Sequence, residues 1–342
     1  MKNHVLAFLC AAFSLSASAQ SADSSRIFLA KALQERTNGR LAPAFTYLQM
    51  ATKYDSSNME ALRYLGLTAM ELRRYDNAKL VFQKLYASNS DDTVAIRNLA
   101  NLNLYTHKWE EAIRFAQLML RKKMGGDLNF IIGKSYYELE NYGEGFKYLD
   151  AAFAENPRDA QIPYMMARAY VDMSNYRFAA KYYQKAIAID TSNARWYYEM
   201  AMVYAAIPDD KTAVPYYELA AEKGYKIDND YLENLSVSCV LSGQPEKGID
   251  LMLKVLEKKP ADLELLYNLA EAYYKMGKYQ QAIDYWDKIL YYDKQNAKAL
   301  YMIGMAYQKK GESSKGQLLC DKAIEMDPSL ANLKQKKMDM GL

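Results

Sequence analysis

The feature that most limits what this chain can fold into is a pair of small side chains that returns every 34 residues or so. The most legible unit, Leu263–Asn296, carries apolar residues at helical spacing (Leu266, Leu269, Ala270, Tyr273), a break at Gly277, and a second apolar run through Ala282, Tyr285, Trp286 and Ile289. That pattern is one helix–turn–helix hairpin. Counting from the start of each unit, position 8 reads Ala32, Gly66, Ala100, Gly133, Ala167, Ala201, Ser236, Ala270 and Gly304. Position 20 reads Ala44, Ala78, Ala112, Gly145, Ala179, Ala213, Gly248, Ala282 and Gly316. No large residue stands at either. Two helices that cross closely leave room only for small side chains at the crossing, so the spacing predicts nine hairpins without a gap. Their expected bounds are 25–58, 59–92, 93–125, 126–159, 160–193, 194–228, 229–262, 263–296 and 297–330.

These residues resemble the tetratricopeptide repeat family, in which the period is 34 residues and a small–small pair precedes a proline near the unit's end. Pro157, Pro260 and Pro328 occupy that last place here; Ser56, Ser90, Met124 and Thr191 replace it elsewhere. The resemblance implies an all-α fold, a right-handed α-solenoid in which each hairpin contacts only its neighbours. Residues 331–342, rich in lysine, are expected to form a C-terminal capping helix. Prolines test the register. Pro43, Pro163 and Pro245 fall in first helical turns, where an amide has no intrahelical partner to lose. Pro215 falls about five residues into the second helix of unit six, the 35-residue unit, and predicts a kink or a helix that starts late. Cys239 and Cys320 lie two units apart. Stacked helices sit about 8–10 Å from one another and a disulfide needs Cα atoms within about 7 Å, so two free, buried thiols are expected.

The N-terminus reads differently. Lys2 precedes an apolar stretch, Val5 to Leu15, broken only by Ser14, and Ala17-Ser18-Ala19 is a small-residue cleavage site before Gln20. This is the pattern of a secretory signal peptide over 1–19, cleaved after Ala19, followed by a short leader at 20–24; the stretch is too short to span a membrane as a helix. The expected destination is export, in a bacterial cell the periplasm. No later segment is long and uncharged enough to cross a membrane. Removal of Lys2 takes the formal net charge from +3 to +2, with no basic stripe to suit nucleic acid.

Residues suited to catalysis are nearly absent. Of two histidines, one lies in the signal peptide and the other, His107, sits in the turn of unit three as a solvated residue. No His/Cys set has metal-ligand spacing, and the glycine pairs fall in turns or helices without a preceding strand. Carboxylate pairs such as Asp91-Asp92, Glu110-Glu111 and Asp209-Asp210 lie at turns and helix starts, where they complement the helix dipole. The reading is therefore no enzyme, no cofactor, no metal and no catalytic residue.

The resemblance further implies that the first helix of each hairpin faces a concave groove, with positions 2, 5, 9 and 12 toward a ligand. Positions 5, 9 and 12 hold Arg36, Arg63, Arg97, Lys134 and Arg168 in units one to five, with Asn101 beside Arg97, and Glu233 and Glu271 in units seven and eight. Aromatic residues interleave: Phe130, Tyr137, Tyr164, Tyr198, Tyr267, Tyr274 and Tyr301. Arg grips carboxylates with two prongs, and Tyr offers a stacking face with a polar tip. Such a groove, basic at its N-terminal half, suits a protein or extended peptide with an acidic segment or a free C-terminus. The function expected is a protein-interaction scaffold in the bacterial envelope, with attachment to a membrane complex through the opposite face compatible with it. The alternative is a glycan-binding or polymer-processing accessory that stacks sugars on the tyrosines.

Overall fold

A computed structural model describes residues 21–331, and within them every regular element is helical. The signal peptide, residue 20 of the leader and all but the first residue of the expected capping helix lie outside the described residues. Two compact units divide the chain at Met165/Met166. The first holds α1 (21–37), α2 (Leu41–Tyr54), α3 (Met59–Glu71), α4 (Tyr75–Ser88), α5 (Thr93–Tyr105), α6 (Trp109–Arg121), α7 (Leu128–Glu138), α8 (Tyr142–Glu155) and the first turn of α9 (Gln161–Asp172). The second holds the rest of α9 with α10 (Tyr176–Ile189), α11 (Ala194–Ala206), α12 (Asp210–Glu222), α13 (Asn229–Leu241), α14 (Pro245–Leu256), α15 (Leu263–Lys275), α16 (Tyr279–Tyr292), α17 (Ala297–Lys309) and α18 (Ser313–Met326), followed by a 3₁₀ turn at Pro328–Leu330. Within each unit, consecutive helices pack as antiparallel hairpins that stack on their neighbours, the architecture of an α-solenoid.

Local chemistry sets the joints. Between hairpins the connection is four residues long where it reads Asp-Ser-Ser-Asn (55–58) or Asp-Lys-Gln-Asn (293–296). The leading aspartate turns the chain by accepting from the amide two residues on: Asp55 from Ser57 at 2.9 Å, Asp293 from Gln295 at 3.1 Å. The closing asparagine caps the next helix, Asn58 accepting from the Ala61 amide and Asn296 from that of Ala299, each at 3.0 Å. Asp92, Asp228 and Asp262 do the same for α5, α13 and α15. Within hairpins, the turn needs a left-handed residue. Glycine supplies it at Gly277 (φ 75°), whereas His107 adopts it without glycine (φ 55°).

Every residue at positions 8 and 20 is buried. The crossing of α17 and α18 is the tightest. A Cβ on Gly304 would meet the Gly316 carbonyl oxygen at 2.7 Å and the Cys320 sulfur at 2.6 Å. Larger side chains fill the space between hairpins: Leu48, Phe82, Leu85, Ile96, Leu99 and Met119 in the first unit, and Tyr183, Trp196, Tyr217 and Trp286 in the second. Much of the tyrosine content is spent inside hairpins. Tyr136–Tyr148, Tyr170–Tyr182, Tyr204–Tyr216 and Tyr273–Tyr285 join position 11 of one helix to position 23 of the next as stacked rings 5.4–5.9 Å apart. Cys239 and Cys320 are free and buried.

Pro215 does not delay the start of its helix. Helix α12 starts at Asp210, capped by Asp209, and runs unbroken through Pro215 to Glu222. Proline at the sixth position costs the one intrahelical bond to the Lys211 carbonyl, which belongs to a solvent-exposed residue. The irregularity of this hairpin lies instead in the six-residue connection 223–228, whose Tyr225 lies flat on Tyr198, with ring centroids 4.3 Å apart and 12° between planes.

Candidate functional site

The basic residues expected in the groove meet different fates. Arg36 donates to Glu71 at 2.7 Å and also bonds Thr68 on α3. Arg63 reaches Asp92 at 2.7 Å, and that buried carboxylate at the same time caps α5 through the Ala95 amide. Arg168 lies 3.6 Å from Glu199, which also holds Arg195 at 2.6 Å and accepts from the Tyr183 hydroxyl at 2.9 Å. Arg36 and Arg168 are matched by acids at positions 13 and 6 of the following unit, and Arg63 by the last residue of its own unit, all outside the three positions on which the groove's charge was read. The acidic half is matched likewise, Glu233 by Lys259 at 2.7 Å and Glu271 by Lys275 at 3.2 Å.

Arg97 and Lys134 differ. Neither has a carboxylate within 4 Å among the described residues, and Arg97 is exposed on α5. They converge with Asn101 and Phe130 on one cleft of ≈ 520 Å³ between α5, the α5–α6 turn and α7. The Lys134 ammonium stands 6.0 Å from the centre of the Phe130 ring, at the edge of cation–π range. The cleft also takes in Tyr105, Trp109 and His107, and its rim carries Asp127 and Glu138. Reading positions 5, 9 and 12 of the first helices missed all three: Tyr105 is the last residue of α5, and His107 and Trp109 come from the turn and the start of α6. His107 is exposed but not merely solvated: its ring meets the Trp109 ring edge-on, 4.8 Å away and 88° between planes. Four of the residues singled out by spacing thus share one cleft with a mixed cationic and aromatic lining.

The tyrosine ladder is largely consumed by the fold. Tyr301 is 4% exposed, packed among Ala297, Cys320, Ala323 and Leu330. Tyr198 is 9% exposed and sits within the cluster of Tyr217, Tyr225 and Tyr231, with its hydroxyl accepting from Asn234 at 2.8 Å. Tyr301 is a correction to the groove assignment, because its ring is packed into the core; Tyr198, though mostly buried, still lines a cleft with Arg168. Tyr267 and Tyr274 are half-buried against the wholly buried Trp286, at 6.3 and 5.8 Å. The Lys298 ammonium covers Tyr267 at 4.0 Å, and burial pushes that phenol up to about 12. Tyr137 is half-buried beside Tyr142 (6.0 Å), and Tyr164 half-buried on α9. A second cleft of ≈ 660 Å³ in the second unit brings together two of the expected residues, Arg168 and Tyr198, with Arg195, Glu199, Tyr225 and Met202, but its cations already share Glu199. Among the described residues, no helix is long and apolar enough to cross a membrane.

Family models described as tetratricopeptide repeat match residues 29–93 and 164–230, 240–297, and 297–330, together more than half of the chain. No curated protein matches. Among solved structures, the chain is similar to YrrB, described as a TPR protein with an unusual peptide-binding site, at 25% identity over 55% of this chain and 97% of that one (TM-score 0.44). It is also similar to the C-terminal part of a TPR repeat-containing protein from Cytophaga hutchinsonii, at 20% identity over 80% of this chain and 99% of that one (TM-score 0.48). A third is pilF of Pseudomonas aeruginosa, at 18% identity, 62% of this chain and 96% of that one (TM-score 0.42).

Proposed function

The chain belongs to the tetratricopeptide repeat family, and on that premise we propose that it is a non-enzymatic scaffold of the bacterial envelope, holding a partner protein through an extended acidic segment in the α5–α7 cleft. One observation carries the reading: Arg97 and Lys134, the candidate cations without a carboxylate partner among the described residues, flank Phe130 in a single cleft. A guanidinium fork and an ammonium beside an aromatic face form a receptor for a carboxylate next to an apolar side chain. Asn101 adds a donor and an acceptor for a peptide backbone. Export rests on Lys2, the apolar stretch Val5–Leu15 and the Ala17-Ser18-Ala19 site. The glycan alternative is the weaker, because Tyr198 and Tyr301 are buried and Tyr267 is covered by Lys298.

The test is selection from a displayed library of random segments, flanked by linkers at both ends, against the protein and against its Arg97→Glu/Lys134→Glu variant. The proposal expects segments with an acidic residue, bound less tightly as salt rises, and none of them retained by the variant. Equal retention by both proteins would sink the cleft assignment. Selective capture of neutral oligosaccharides, insensitive to salt, would favour the alternative.

A further inference from the structure

We infer that the solvent-facing side of α10 docks on a bilayer of anionic phospholipids, independently of the α5–α7 cleft. Helix α10 (Tyr176–Ile189) reads YRFAAKYYQKAIAI and contains no Asp or Glu. Its three cations, Arg177, Lys181 and Lys185, are all exposed and stand four residues apart. That spacing sets them along one side of the helix, in a row about 12 Å long at about 1.5 Å per residue. Like charges at this spacing repel and cost helix stability. Other second helices offset the cost within themselves. α8 pairs Lys147 with Glu144, α14 flanks Lys247 with Glu246 and Asp250, and α16 flanks Lys288 with Asp284 and Asp287. α2, the other second helix without an acid, holds the single cation Lys53. Neighbouring elements do not relieve α10 either. Arg177 and Lys181 have no carboxylate within 4 Å among the described residues. Asp190, the residue that follows the helix, is bonded to Ser192.

A cationic row suits any polyanion; its apolar neighbours select the bilayer. Phe178 is 48% exposed, and Met173, in the turn before α10, is 51% exposed. At about 100° per residue, Phe178 flanks the row, inside an arc of about 140° that runs from Arg177 to Tyr182. Its ring rests on Tyr170, with centroids 5.2 Å apart, and Tyr170 stacks in turn on the half-buried Tyr182 at 5.4 Å. The opposite side of α10 is anchored in the core through Ala179, Ala180, Tyr183 and Ala186, so the helix presents this face without unfolding. Neither cleft described above includes Arg177, Lys181 or Lys185, so the row has no recess to grip one side chain of a protein segment. Cations with open aromatic and thioether groups beside them match a helix lying in the plane of an anionic interface. The guanidinium and ammonium groups meet headgroup phosphates, and the apolar groups enter the acyl boundary.

The test is co-sedimentation of the exported form, residues 20–342, with vesicles of phosphatidylcholine alone or of three parts phosphatidylcholine to one of phosphatidylglycerol. Binding is expected to the second and not the first, and is expected to fall as salt rises. Arg177→Gln/Lys181→Gln/Lys185→Gln should bind the anionic vesicles about a hundredfold more weakly, at about fivefold per basic residue. Its urea midpoint should stay equal or rise, because the repelling row is gone. Lys84→Gln/Lys254→Gln/Lys322→Gln has the same net charge but loses exposed cations of α4, α14 and α18, and should bind as wild type does. Phe178→Ser should bind more weakly and keep its salt dependence. Equal losses in the two triple variants, equal binding to both kinds of vesicle, or no binding of wild type to either would overturn the inference. Retention on immobilised polyglutamate without retention on vesicles would assign the face to an acidic protein and overturn it too. None of these outcomes touches the peptide selection that tests the cleft.

Discussion

Gly316→Ala puts the close-crossing argument at risk in a single methyl group. In α18, a Cβ at 316 would stand 2.6 Å from Gln308 Cγ, 2.8 Å from the Gln308 backbone nitrogen, and closer still to the Gly304 carbonyl oxygen. Carbon contacts are comfortable at about 3.5–4.0 Å, and two of the three obstacles are backbone atoms, which cannot rotate away. Alanine in mid-helix gains about 1 kcal/mol over glycine. Overpacking costs about 1–3 kcal/mol, with the upper end expected where backbone must move. The net expectation is a loss of about 2 kcal/mol, a factor of about 30 in the opening equilibrium. Because contacts run between neighbouring hairpins, the loss should concentrate at α17 and α18. Hydrogen exchange of the α17 and α18 amides, read beside the urea midpoint, measures it. Gly143→Ala is the control: it lies near the start of α8 with no atom within 4 Å of a new Cβ, and should be neutral or stabilising by up to about 1 kcal/mol. Unchanged or greater protection in Gly316→Ala, or an equal loss in Gly143→Ala, would refute the steric account.

Pro215→Ala restores an amide donor for the Lys211 carbonyl without disturbing the buried face of α12, and should raise the urea midpoint, by about 1 kcal/mol of stability. At alkaline pH the second unit should weaken. Burial raises the Tyr231 and Tyr267 phenols to about 12, so their stabilisation is complete below the unfolded value near 10 and is lost as pH climbs from there through about 12. Tyr231→Phe should flatten that limb in a pH series of urea midpoints. At acid pH the sign reverses. Hydrogen bonds from Ser57 and Ser192 hold the Asp55 and Asp190 carboxyls below their usual range, so that stabilisation is present above pH 4 and disappears as pH falls further. Replacing both by Asn should make the acid limb shallower in the same assay.

Sequence and structure divide the protein along a physical line. The sequence by itself determined the hairpins. A small residue at a helix crossing, a capping Asn58 or Asn296, and a left-handed Gly277 each act within about one repeat of chain, so their spacing is visible in one dimension. The buried, free state of Cys239 and Cys320 followed from the same spacing. Tertiary structure decided which charges and rings remain available. Arg36, Arg63 and Arg168 look like Arg97 in sequence, yet their carboxylates come from the next hairpin (Glu71, Glu199) or from the joint before it (Asp92), at positions that no one-helix pattern samples. Tyr301 shares its position with Phe130, yet it is packed into the core while Phe130 stays at the cleft. Charge compensation and burial are settled by side chains approaching through space, and that is why the proposed binding site is the cleft around Arg97, Asn101, Phe130 and Lys134.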